Sequence, residues 1–68
     1  MSAELSNALR AAREAKGWTQ AELAERVAVS RKTINTVENG VFVPSTVLAL
    51  KLARELEAPV ERLFALVE

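Results

Sequence analysis

The stretch Gly17-Trp18-Thr19-Gln20-Ala21-Glu22-Leu23-Ala24-Glu25-Arg26-Val27-Ala28-Val29-Ser30-Arg31-Lys32-Thr33-Ile34-Asn35-Thr36-Val37-Glu38-Asn39-Gly40 decides the fold of this chain. Thr19 is followed three residues later by Glu22, the capping-box spacing in which hydroxyl and carboxylate satisfy each other's backbone N–H groups. A helix therefore starts there, with Leu23, Ala24 and Val27 as its apolar face. Ala28-Val29 makes a brief break, and Ser30 caps a following helix from Arg31 to about Glu38. In that helix Ile34 and Val37 point inward, whereas Lys32, Asn35 and Thr36 point the other way. Asn39-Gly40 ends it.

Toward the N-terminus, Leu5, Ala8, Leu9, Ala12 and Lys16 share one face at helical spacing, which predicts a helix from about Ala3 to Lys16 closed by Gly17. Toward the C-terminus, Val41-Phe42-Val43-Pro44 is extended, because the residue before a proline is pushed out of the helical region. Ser45 caps a fourth helix of about Thr46 to Leu56, buried through Leu48, Ala49, Leu52, Ala53 and Leu56. Pro59 suits the first turn of a fifth, with Val60, Leu63 and Phe64 inward. The fold class expected is all-α: five short helices in a single domain, residues 1–68, with a helix-turn-helix at about 19–38.

Composition supports this reading and excludes much chemistry. The 68 residues include twelve alanines, nine leucines and eight valines but only three aromatics. Ala and Leu are leading helix formers. The chain has no Cys, His, Asp or Tyr, so disulfide scaffolds, Cys/His zinc sites and histidine- or cysteine-based catalysis are excluded. No metal site, no cofactor and no enzymatic activity are expected. No apolar run reaches the roughly 18 residues of a membrane span, and the N-terminus lacks a signal-peptide plan, so a cytoplasmic protein is expected. Nine basic residues balance nine acidic ones, and global charge gives no sign of a nucleic-acid partner.

Two short helices joined by a tight turn, the second with a polar outer face, is how a helix-turn-helix reader is built. The outer face here carries Lys32, Asn35 and Thr36, with Arg31 at its exposed start and Thr33 to one side. Arg or Lys can pair with guanine, Asn with adenine, and a Thr methyl can meet the thymine methyl. No acid stands on this face, since Glu38 lies nearer the core side. Gln20 sits in the first turn of its helix, where free N–H groups and the helix dipole favour an anion.

The run Gly17 to Ala24, then Val29-Ser30-Arg31 and Ile34 through Val37-Glu38-Asn39-Gly40, resembles the Cro/repressor-like (XRE) helix-turn-helix family. Pro44-Ser45 followed by Leu48, Ala53 and Leu56, then Val60-Glu61 and Leu63-Phe64, extends the resemblance over about residues 5 to 64. It implies a five-helix lambda-repressor-like domain that binds double-stranded DNA as a transcriptional regulator at the nucleoid, with its third helix in the major groove of a palindromic operator. On that footing Arg31, Lys32, Thr33, Asn35 and Thr36 read bases. Gln20 meets a phosphate, with Thr19, Ser30, Arg10, Lys16 and Asn39 as further phosphate contacts. The resemblance also implies an ion pair between Arg13 and Glu38 that ties the first helix to the third. Two features depart from the family pattern: Val41-Phe42-Val43 stands where a basic, polar loop is common, and Ala28 stands where Gly is frequent.

Val41, Phe42, Val43, Val47 and Leu50, together with Leu66 and Val67, supply more apolar surface than one small core needs. Such surface marks an interface. A homodimer joined partly through residues 59–68 is expected, with no small-molecule effector and no membrane. The alternative is a protein-interaction module, such as an antitoxin or adaptor, with DNA binding secondary or lost.

Overall fold

The computed structural model describes residues 4–67, in the order β1 (Glu4–Asn7), α1 (Leu9–Ala15), α2 (Gln20–Val27), α3 (Arg31–Glu38), α4 (Thr46–Leu56), α5 (Val60–Leu63) and β2 (Phe64–Val67). Each of α2, α3 and α4 begins at a hydroxyl cap. Thr19 Oγ1 accepts from the Glu22 N–H at 3.0 Å while Glu22 Oε1 accepts from the Thr19 N–H at 2.8 Å. Ser30 and Ser45 accept from the N–H groups of Thr33 and Leu48, each at 3.1 Å. These bonds satisfy donors that the first helical turn leaves without partners.

Helices α1 to α4 all stop by the same device. The chain turns through a left-handed residue, whose N–H bonds three residues back while the next N–H bonds five residues back, closing the helix carbonyls. Gly17 donates to Glu14 and Trp18 to Arg13; Gly40 donates to Val37 and Val41 to Thr36. Glycine supplies the positive φ at Gly17 and Gly40, but Ala28 (φ 59°) and Glu57 (φ 55°) take it with a Cβ. The Ala28 position thus keeps left-handed geometry without glycine, and its Cβ crowds the backbone there.

The first expected helix is half replaced. Residues 4–7 form a strand that pairs antiparallel with β2, Leu5 opposite Leu66, Ser6 opposite Ala65 and Asn7 opposite Phe64. Over the described residues the fold is therefore a five-helix domain with a small two-stranded sheet, not strictly all-α. Asn7 explains the switch. Its Oδ1 accepts from the Leu9 N–H at 3.2 Å and its Nδ2 donates to the Val37 carbonyl at 3.1 Å, so a helix can begin only after it. The Ala8 N–H donates to the Leu63 carbonyl at 2.8 Å, docking the start of α1 on the end of α5. Phe64, expected at the end of the fifth helix, is instead the buried first residue of β2. Ala3, the expected start of the first helix, lies outside the described residues.

Leu9, Leu23, Val27, Ile34, Val37, Leu52 and Leu63 are fully buried and draw the helices around one core, closed by Leu48, Leu56 and Phe64. Burial of each such side chain contributes about 1.5–3 kcal/mol. The apolar face of α2 packs on α3 and on α4, and α1 packs on α3, which leaves the opposite face of α3 open.

Candidate nucleic-acid interface

The open face of α3 presents Arg31, Lys32 and Asn35 around one shallow depression. Thr33 and Thr36 are half-buried beside it. Thr33 Oγ1 shares a hydrogen bond of 3.0 Å with Ser30 Oγ, and Thr36 Oγ1 donates to the Thr33 carbonyl at 2.9 Å. Their hydroxyls serve the helix, and Thr36 joins Lys32, Thr33, Val41 and Phe42 along a second depression. The loop residue Val41 thus borders α3.

Glu38, at the last turn of α3, is turned away from this face and its side chain is 0% exposed. Arg13 grips it with two bonds, Nε to Oε2 at 2.6 Å and Nη2 to Oε1 at 3.2 Å. Arg13 Nη1 also donates to the Trp18 carbonyl at 2.8 Å, so one guanidinium joins α1, the turn before α2 and the end of α3. Gln20 Nε2 (3.1 Å) and Arg10 Nε (3.4 Å) donate to the same carboxylate. Burial on its own pushes the Glu38 carboxyl up, but the hydrogen bonds from Arg13, Gln20 and Arg10 and the Arg13 charge outweigh it. The group is held below the ordinary carboxylate value and is ionised at neutral pH.

The residues expected to touch phosphate do not form one set. Thr19 and Ser30 are spent on their caps, although the first-turn N–H groups of both helices remain. Gln20 gives its amide N–H groups to Asn35 Oδ1 at 3.2 Å and to Glu38. Asn39 donates through Nδ2 to the Asn35 carbonyl at 2.9 Å and accepts from Arg10 Nη2 at 3.4 Å. Lys16 belongs elsewhere: its ammonium pairs with Glu57 at the end of α4 and lies 5.9 Å from the Trp18 ring, whose face is also covered by Arg26 at 4.0 Å.

The apolar residues expected at an interface are all exposed. Phe42, Val43 and Leu66 line a cleft of about 440 Å³ with Leu5 and Phe64. Val43 and Leu50 line an adjoining one that shares Leu5, Pro44 and Phe64. Asn7 was missed by sequence reasoning. Its signal is an amide in an otherwise Ala/Leu-rich stretch, where Asn favours helix starts over helix interiors.

The helix-turn-helix family pattern matches residues 9–63. An HTH-type transcriptional regulator of Bacillus subtilis, YgzD, is 36% identical over 64 residues, 94% of this chain and 97% of that protein. The antitoxin HipB of Escherichia coli is 35% identical over 54 residues, 79% of this chain but 57% of HipB. The crystal structure of the restriction-modification controller protein C.AhdI from Aeromonas hydrophila matches with a TM-score of 0.74 and 37% identity, covering 79% of this chain and 78% of that one. With the α2–α3 geometry described above, these matches mean that the chain belongs to the Cro/repressor-like, XRE-type helix-turn-helix family of transcriptional regulators.

Proposed function

We propose that the chain is a sequence-specific double-stranded DNA-binding regulator, a repressor that acts by occupying a palindromic operator on the nucleoid. In this reading α3 lies in the major groove, with Arg31, Lys32, Thr33, Asn35 and Thr36 toward base edges. The N–H groups at the starts of α2 and α3, near Thr19, Gln20 and Ser30, meet phosphates, with Arg10 and Asn39 beside them. Two copies joined through the clefts around Val43, Leu50 and Leu66 present their reading helices to half-sites about 34 Å apart.

The observation that carries this reading is the charge arrangement of α3. Its exposed face gathers Arg31 and Lys32 beside Asn35, while its acid, Glu38, is buried and matched by Arg13. A net charge of zero over the chain is compatible with DNA binding when the local face is this one-sided.

Selection from a random duplex library, followed by titration of the winner against a scrambled duplex at two salt concentrations, tests it. The expected result is an inverted repeat preferred by about 10³ or more. The affinity should fall with salt by about 0.9 in log–log slope per phosphate contact. Weak, equal binding to both duplexes sinks the reading. It would favour a protein-interaction module, which the exposed Val41-Phe42-Val43 loop and the likeness to an antitoxin support.

A further inference from the structure

Three side-chain amides meet at Asn35 on the reading face, and the Glu38–Arg10 ion pair, joined at 3.4 Å, closes them into a ring. A carboxylate only accepts hydrogen bonds and a guanidinium only donates them. Glu38 therefore holds the nitrogen end of the Gln20 amide, at 3.1 Å, and the second N–H of that nitrogen is directed at Asn35 Oδ1, at 3.2 Å. Arg10, whose Nε is bonded to the same carboxylate, donates through Nη2 to Asn39 Oδ1 at 3.4 Å, which turns the Asn39 nitrogen toward α3. That nitrogen reaches Asn35 Oδ1 at 3.2 Å, as well as the Asn35 carbonyl. Both lone pairs of Asn35 Oδ1 are thus filled, by Gln20 and Asn39. Asn35 Nδ2 donates to nothing among the described residues, and the residue is exposed on α3.

Asn35 consequently offers solvent donors and no acceptor. Arg31 and Lys32, which share its depression, are also donors only. The usual asparagine–adenine pairing needs the amide oxygen to accept from adenine N6 while the nitrogen donates to N7. Here the oxygen is occupied, and an adenine amino group would meet a filled acceptor. Guanine presents two acceptors, O6 and N7, and no donor in the major groove. We propose that Asn35 is a donor-only specificity determinant that selects guanine over adenine in each operator half-site, with Gln20 and Asn39 as the positioning residues that impose this choice. The inference rests on the reading of α3 as the recognition helix.

The test compares duplexes selected by the intact chain with those selected by Asn35→Ala, which identifies the base position that Asn35 reads. The expected base there is guanine. Replacing it by adenine should weaken binding about tenfold, 7-deazaguanine, which lacks N7, should also weaken it, and inosine, which keeps O6 and N7, should change it less than about twofold. The double variant Gln20→Met/Asn39→Ala frees the Asn35 oxygen, and its preference at that position should move toward adenine with the other positions unchanged. The duplex analogues need no altered protein, so they decide the matter even if the double variant folds poorly. Adenine at the Asn35 position, or no position that depends on Asn35, overturns the inference while leaving the DNA-reader intact. Enrichment of no sequence at all overturns both.

Discussion

Arg13 and Glu38 lie 25 positions apart in the chain, and their bidentate contact at 2.6 and 3.2 Å is what holds the end of α1 against the end of α3. Both side chains are almost shut off from solvent, 11% and 0% exposed, so their charges are matched inside the protein, chiefly by each other. The pair also removes the one acid of α3 from the reading face. One contact therefore links folding to the electrostatics of the outer surface.

Removing Arg13 leaves the buried Glu38 carboxylate with only the Gln20 amide and the longer contact of the exposed Arg10. Arg13→Met is expected to cost about 3 kcal/mol or more, a large part of the total for so short a chain. The double variant Arg13→Met/Glu38→Leu should regain part of it, because both buried charges are gone while Gln20 keeps its bond to Asn35. Urea unfolding of the two variants checks this. A double variant no more stable than Arg13→Met would show that packing, not charge pairing, dominates.

Acid should destabilise the domain through the same carboxylate. The folded pKa of Glu38 is lower than its ordinary value of 4.5, because its hydrogen bonds and the Arg13 charge outweigh the burial that pushes it up. Its contribution is fully present above the unfolded value and is lost as pH falls below 4.5 and through the folded value. Glu22, bonded to Thr19, and Glu57, bonded to Lys16, shift in the same direction and add to the loss. In an unfolding series from neutral to acid pH, Glu38→Gln should show a shallower loss than the parent chain. An identical slope would remove Glu38 as a source.

The left-handed Ala28 is a place where glycine should improve the fold. The strain relieved is about 1 kcal/mol, partly offset by the greater freedom of glycine in the unfolded chain. Ala28→Gly is expected to raise Tm by a few degrees, about 2–4 °C for a gain near 0.5 kcal/mol. Thermal unfolding followed by circular dichroism measures it. A lowered Tm would mean that the turn between α2 and α3 carries no strain at Ala28.

The proposed dimer should fail when charge is placed in its clefts. Leu50→Glu and Leu66→Glu alter exposed side chains, so the helical signal should persist while sedimentation shifts to the monomer mass. Operator affinity should fall with it, since paired half-sites act through effective concentration. A dimer unchanged in both variants would place the interface elsewhere.

The parts of this protein legible in its sequence are those governed by neighbours a few residues apart. Thr19, Ser30 and Ser45 announce their helices because a hydroxyl cap needs only the next turn of backbone. Gly17 and Gly40 announce the ends because a left-handed turn is a local steric event. The 3.6-residue spacing of Leu23, Val27, Ile34 and Val37 likewise picks out the inner faces of α2 and α3, and so the outer face with Arg31, Lys32 and Asn35. Tertiary structure decided what depends on distant partners. Residues 4–7 read as helix by spacing, yet they pair with 64–67 at the other end of the chain, and Asn7 bonds to Val37. Local propensity is worth a few tenths of a kcal/mol per residue and yields to such contacts. The Gln20–Asn35–Asn39 arrangement was equally hidden, because an amide's orientation follows from what surrounds it. Here that is Glu38 and Arg10, which only the packing of α1 and α2 against α3 brings together with Gln20 and Asn39.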